Sequence, residues 1–354
     1  MARVISTATA SPPHTIGPEQ AQRLMLRYIE RLGLKPEPAL RILRNTMVEH
    51  RHSVLTEEEL LQKMSAKDPM STKERNDRYI LMALELGERV AARALRNAGL
   101  SPADIDSIIT VSCTGWMLPS LDGHLINKMK FPHRTRRLPI TELGCAAGAV
   151  GLARAREQLA VYPHSRVLLI SVELPSLTFQ PDDDRMDQVV STMIFADGAA
   201  AVVLDNSAGP GPHLLDSQMF TVPGTLQDMG YDLADDGLHI VLTEKVPYLL
   251  EDNLLPEVLN LLSRNGADRA ALRWWAMHPA GPKVLYLIED ALGLSAQALS
   301  ASWAVLKDHG NMSSAAVLFV LDRLFQSPPP PGRLGMIAAF GPGVSGELLL
   351  ARWE

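Results

Sequence analysis

The sequence predicts an α/β protein of layered helices and strands, on three observations. From about residue 80 onward, helical and β-branched apolar patterns alternate along the chain. Two distant stretches repeat each other in order. Of the 354 residues 46% are hydrophobic, enough to bury a large core in one domain or two coupled halves.

The first 75 residues read as mostly helical and polar, a flap over the core. "ILMALELGERVAARALRNAG", from Ile80, places its apolar residues at helical spacing. In "SPADIDSIITVSCTG", Ser101 reads as an N-cap, followed by a β-branched strand ending at Ser112. "RRLPITELG", "SRVLLISVEL", "AAAVVLD", "RWWAMHP" and "RLGMIAAFG" read as buried strands, with "AAGAVGLARAREQL" and "VPYLLEDNLLPEVLNLL" as helices between them. "SPPPPG", residues 327–332, is a stiff connector before the last of these strands.

The repeat sets "GCAAGAVGLARA", from Gly144, beside "GNMSSAAVLFVL", from Gly310. "FADGAAAVVL", from Phe195, likewise matches "FGPGVSGELLL", from Phe340. Each copy has a turn into a small-residue helix and then a glycine-rich strand entry. The division expected is 1–207, with the flap and Cys145, and 208–354, with His278 and Asn311.

Charge excludes some functions. The net charge is −6, and no basic block marks a nucleic-acid surface. No apolar run is long enough to span a bilayer, and the first residues lack a signal-type apolar segment. Two cysteines imply no disulfide framework, so the chain reads as cytoplasmic. His50 and His52 have no further ligand at metal spacing, so no metal is expected. "PDDDR", residues 181–185, reads as a solvated acidic turn. "FGPGVSG" lacks the Gly-Lys-Ser/Thr of a phosphate loop, and Trp274 and Trp275 read as core.

Three residues stand at element ends. Cys145 sits where a strand turns into a helix, and a helix N-terminus favours a thiolate and offers N–H groups to an oxyanion. A buried structural cysteine fits the same place. His278 follows an apolar strand in a turn set by Pro279, Gly281 and Pro282. Asn311 opens the second small-residue helix, where capping is its ordinary role. Together they suit acyl transfer: a thiolate paired with imidazolium takes the acyl group, and Asn and His N–H donors stabilise an enolate.

These residues lie in motifs that resemble the type III polyketide synthases, the chalcone synthase-like family of bacterial type. The resemblance runs over nearly the whole chain: "TMVEHRHSVLTEEEL", "CTGWMLPSLDGHLI", "LGCAAG", "SVELPSLTF", "FADGAAA", "HPAGPKVL", "GNMSSA" and "FGPGVSGE". It implies a thiolase-type fold with a duplicated five-layered αβαβα core, and a homodimer. It also implies iterative decarboxylative condensation of malonyl-CoA onto an acyl-CoA starter, without metal or organic cofactor. A β-ketoacyl-acyl-carrier-protein synthase III shares the Cys-His-Asn set. Its histidine is typically followed by Gln-Ala-Asn, whereas here Pro279-Ala280-Gly281-Pro282 follows.

Carried over by position, Cys145 matches the acyl-holding nucleophile, His278 its base and Asn311 the second enolate donor. Phe195 matches the residue at the tunnel mouth that orients malonyl-CoA. Arg51 matches a CoA-phosphate contact, although Glu49 and His50 stand where relatives carry lysines, and Lys283 is placed to compensate. Cys113, Thr178 and Ser313 match cavity walls. Tyr231 replaces a glycine of the plant enzymes and Ile240 a phenylalanine gatekeeper. Leu118 matches a loop residue that reaches toward the partner subunit's cavity. The smaller Cys113, Ser313 and Ile240 suggest a fatty acyl starter and an alkylpyrone or alkylresorcinol product. The alternative is malonyl-CoA as its own starter, giving a tetrahydroxynaphthalene-type product.

Overall fold

A computed structural model describes residues 2–65, 70–295 and 297–354. Nine strands form one sheet, in the spatial order β5 (Arg136–Ile140), β4 (Ser107–Val111), β6 (Val167–Glu173), β7 (Gly198–Asp205), β1 (Arg3–Ala10), β8 (Pro212–Thr221), β13 (Ser345–Trp353), β12 (Arg333–Gly341) and β11 (Leu272–Met277). At its middle the sheet is joined by the single register pair Arg3 and His213, supported by the Leu214 N–H donating to the Ala2 carbonyl at 2.7 Å.

On either side of that join the pattern repeats. β4 runs parallel to β6 as β11 does to β12; β6 is antiparallel to β7 as β12 is to β13. β7 is antiparallel to β1 as β13 is to β8. The central helices α6 (Ala147–Val161) and α11 (Ala316–Gln326) precede β6 and β12 respectively.

Five layers follow from the side-chain alternation. Along β6, Leu168, Ile170 and Val172 point into an outer core with α4 (Thr72–Asn97) and α5 (Leu121–Met129), while Val167 and Leu169 point to the central helices. Along β12, Met336, Ala338 and Phe340 face the opposite outer core, with α8 (Val246–Arg264), α9 (Pro282–Leu292) and α10 (Ser300–His309), and Ile337 and Ala339 face the centre. Strands buried on both faces read as continuous apolar runs, which is why they are visible in the sequence.

The central layer owes its closeness to glycine. A Cβ on Gly148 of α6 would lie 2.1 Å from the Ser314 carbonyl oxygen, and one on Gly151 would lie 2.5 Å from Leu169 Cδ1. Without side chains there, α6 approaches the start of α11 at backbone distance.

Three expectations need correction. The N-terminal segment is not only a flap: β1 is an interior strand between β7 and β8, and α1 (Pro18–Leu32), α2 (Pro36–Arg44) and α3 (Glu57–Ser65) form the cover. A short antiparallel pair of β2 (His14–Ile16) with β3 (Arg51–Ser53), on either side of α1 and α2 in the chain, stitches that cover down. β5 is an edge strand, half exposed, which is where Pro139 costs no central hydrogen bond. Ser101 heads only the 3₁₀ turn Pro102–Asp104, while Ser71 and Glu74 form the capping box that starts α4. Among the described residues no helix is long and apolar enough to cross a membrane.

Candidate active site

Cys145 lies in the 3₁₀ turn Gly144–Ala146, which runs directly into α6. Gly144 has φ +49°, and a Cβ there would lie 2.6 Å from Pro342 Cδ, so the Phe340–Gly343 turn packs flat against the cysteine turn. The second copy of the repeat places Ser313–Ala315 in the matching 3₁₀ turn before α11. Ser313 itself has φ +49°, uncommon for a residue with a Cβ. Asn311 holds it there by accepting the Ser313 N–H on Oδ1 at 2.8 Å.

A continuous run of contacts joins the three residues singled out in the sequence. Cys145 Sγ lies 3.4 Å from Ser313 Oγ, and the Ser313 N–H reaches Asn311. Asn311 Nδ2 donates to the Ala280 carbonyl at 3.1 Å, and the Ala280 N–H donates to the His278 carbonyl at 3.0 Å. A parallel bridge between Phe195 and Asn311 ties in the end of α7 (Met186–Ile194): the Asn311 N–H donates to Ile194 and its carbonyl accepts from Ala196. One amide hydrogen of Asn311 remains for a ligand, since Nδ2 carries two.

The charges differ from expectation. Burial pushes the Cys145 thiol up to about 12 and the His278 imidazole down to about 3. Burial thus favours the thiol and the neutral imidazole over the thiolate and imidazolium that the sequence suggests, because desolvation in this closed layer opposes the helix start. Both ring nitrogens of His278 are buried and lack a hydrogen-bond partner. Such orphans are rare and point to a group that arrives from outside.

Behind Cys145 stands a buried polar network that sequence reasoning missed. Glu173, at the end of β6, is fully buried and accepts from Thr114 Oγ1 at 2.8 Å, the Cys113 N–H at 3.1 Å and the Ser314 hydroxyl. Burial raises its pKa despite these donors. The signal available was a lone acid at the end of an apolar strand.

Cys113, Cys145, Phe195, Tyr231, Ile240 and Ser313 all border a space of about 30 Å³. Phe195, Tyr231 and Ile240 also border a second space of about 90 Å³, which is apolar and lies beneath the cover, between Leu24, Leu60, Met64 and Phe179. These three residues are the partition between the two. Tyr231 and Ile240 sit on a hairpin, β9 (Met229–Ala234) with β10 (Gly237–Leu242), and Thr178 hydrogen-bonds the Tyr231 side chain.

Two halves of a known family cover the chain. The model of the chalcone and stilbene synthase N-terminal domain matches residues 1–210, and that of the C-terminal domain matches residues 214–353. The chain belongs to the chalcone synthase-like family of type III polyketide synthases. It is similar to the 1,3,6,8-tetrahydroxynaphthalene synthase of Streptomyces coelicolor, 35% identical over all of this chain and 93% of that protein. It is also similar to the phloroglucinol synthase of Pseudomonas fluorescens, 33% identical over 98% of this chain and 99% of that one. The crystal structure of the Streptomyces coelicolor synthase superposes with a TM-score of 0.93 at 34% identity, covering 99% of both chains. That of a polyketide synthase from the brown alga Ectocarpus siliculosus gives 0.91 at 28% identity, over 100% and 98%.

As a type III polyketide synthase the chain is an acyltransferase of the condensing kind, with the thiolase-like fold that its five layers display. The remaining expected residues fall outside the Cys145 space. Arg51 is buried in β3, its guanidinium donating to the Thr192 carbonyl, and burial lowers its pKa to about 10. Lys283, exposed at the start of α9, places its ammonium 4.3 Å from the centre of the Tyr248 ring. Leu118 is fully exposed before Pro119.

The acidic run is also corrected. Asp183 is buried, bonds Arg185 at 2.7 Å and His239 at 2.8 Å, and its carbonyl accepts from Tyr28. Arg185 also donates to the Ile240 carbonyl at 3.1 Å. The run therefore pins the hairpin that carries Tyr231 and Ile240.

Proposed function

We propose that this synthase condenses malonyl-CoA units on Cys145 and that malonyl-CoA itself is the starter, giving a tetrahydroxynaphthalene-type product. The Cys145 sulfur attacks the acyl-CoA carbonyl as His278 takes its proton, and the bond to CoA breaks as CoA leaves as its thiol with that proton. The orphaned His278 ring is the observation that supports this role: it is buried, and both its nitrogens lack a partner until substrate arrives. Asn311 Nδ2–H and the His278 N–H then hold the enolate left when malonyl loses CO2, and that carbanion attacks the thioester on Cys145.

The small starter is supported by the full-length likeness to a tetrahydroxynaphthalene synthase and by Tyr231 and Phe195, whose bulky rings border the space at Cys145. The apolar space beneath the cover favours a second reading, in which a fatty acyl chain passes the partition and leads to an alkylpyrone or alkylresorcinol. Lys283 is the exposed cation suited to the CoA phosphates, and Leu118 is the apolar side chain suited to a partner subunit in a homodimer. Products formed from malonyl-CoA alone, compared with those formed when acetyl- to palmitoyl-CoA is added, test the choice. An aromatic product from malonyl-CoA alone supports the first reading. Chain extension seen only with added fatty acyl-CoA overturns it.

A further inference from the structure

The chain has two cysteines, and one hydroxyl serves both. Cys113 follows β4 and Cys145 precedes α6, yet Ser313 Oγ lies 3.4 Å from each Sγ. The sulfurs are thus separated by no more than twice that distance. Both border the same space, Cys113 is half-buried, and the two thiols interact electrostatically.

We infer that Cys113 and Cys145 form a reversible intramolecular disulfide when the protein meets hydrogen peroxide, which closes the site by covalent chemistry. The sulfur of Cys145, as thiolate, attacks one peroxide oxygen; the O–O bond breaks, the sulfur is oxidised to sulfenic acid, and the departing hydroxide takes up the proton lost by the thiol and leaves as water. The sulfur of Cys113 then attacks that of Cys145, and hydroxide leaves. Glu173 Oε2, 3.7 Å from Cys113 Sγ, takes the thiol proton and passes it to the departing hydroxide as water. In sum, two thiols and one peroxide give one disulfide and two waters. The side chains must rotate toward each other to reach an S–S bond of about 2.05 Å, and both line the space that Ser313 also borders. Burial keeps both thiols protonated, so the first step is slow at neutral pH and faster in alkali. The pair's geometry carries this inference without reference to which starter the enzyme uses.

The test is graded hydrogen peroxide on the full chain, followed by intact mass and alkylation under denaturing, non-reducing conditions. The expected product has lost two hydrogens, takes up no alkylating reagent, remains monomeric on a non-reducing gel and gives a Cys113–Cys145 cross-linked peptide that dithiothreitol reverses. Cys113→Ser, checked for folding by circular dichroism, should instead carry Cys145 on to sulfinic acid, which dithiothreitol does not reverse. Ser313→Ala, which removes the hydroxyl that contacts both sulfurs, should cross-link faster. Oxygen added to Cys145 while Cys113 still alkylates, a cross-link between chains, or no oxidation at all would each overturn the inference.

Discussion

Tyr231 and Ile240 are a register pair of the β9–β10 hairpin, and both side chains border the space at Cys145 as well as the one beneath the cover. One hairpin therefore sets both faces of the partition. Ile240→Phe should enlarge the barrier and confine products to those built from small starters, while Tyr231→Gly should open it and admit longer acyl chains. Product length measured by mass spectrometry across an acyl-CoA series checks both. If neither change moves the length limit, the hairpin is not the partition.

Removing the nucleophile should separate two activities. Cys145→Ala should abolish chain extension, yet CO2 release from malonyl-CoA needs His278 and Asn311 and should persist. Asn311→Ala should do the reverse: Cys145 still loads acyl groups, and decarboxylation falls by the equivalent of about 2.7–4 kcal/mol, as for other lost oxyanion donors. Asn311 also holds Ser313 at positive φ, so equal loss of loading and decarboxylation in Asn311→Ala would assign it a purely structural role.

The protonation state of Cys145 has its own signature. With the thiol pushed up to about 12, its thiolate fraction and its alkylation by iodoacetamide should climb by about tenfold per pH unit through neutrality, without a plateau before pH 10. His278, held neutral down to about 3, should add no inflection between pH 5 and 8. A plateau below pH 8 would restore the thiolate–imidazolium pair that the sequence suggested.

Strands such as β6 and β12 are apolar on both faces and were legible as runs; Cys145 and Asn311 were legible because each stands at an element end beside glycine, and His278 because it follows an apolar strand in a Pro- and Gly-rich turn. β1 was hidden because "RVISTATA" mixes Ser and Thr into an interior strand, where Ser6 donates to the Ala94 carbonyl at 2.8 Å and Thr7 donates to Asp322 at 2.6 Å. Glu173 and Asp183 were misjudged or missed for one reason. An acid's partners come from distant segments, and no local pattern announces them. The same blindness applied to charge: a helix start is visible in a sequence, but the desolvation that opposes it depends on two halves closing over the site.

Glu347 provides a pH test of that closed core. It lies buried in β13 opposite Ala339, its Oε2 lacks a partner, and burial raises its pKa to about 7 against the pull of Arg154. The folded state thus holds its proton more tightly than the unfolded chain, whose glutamates titrate near 4.3. Below about pH 4.3 both states are protonated and the residue costs nothing. As pH rises from there through 7 the unfolded chain ionises first, so stability falls, and the full penalty is present above pH 7. Glu347→Gln should remove the pH dependence this residue contributes, making the protein more stable than wild type at pH 8.5 by about 1–3 kcal/mol and little different at pH 4.5. Urea unfolding at the two pH values measures it. A variant equally shifted at both would show that the carboxyl's titration contributes nothing to the stability of this layer.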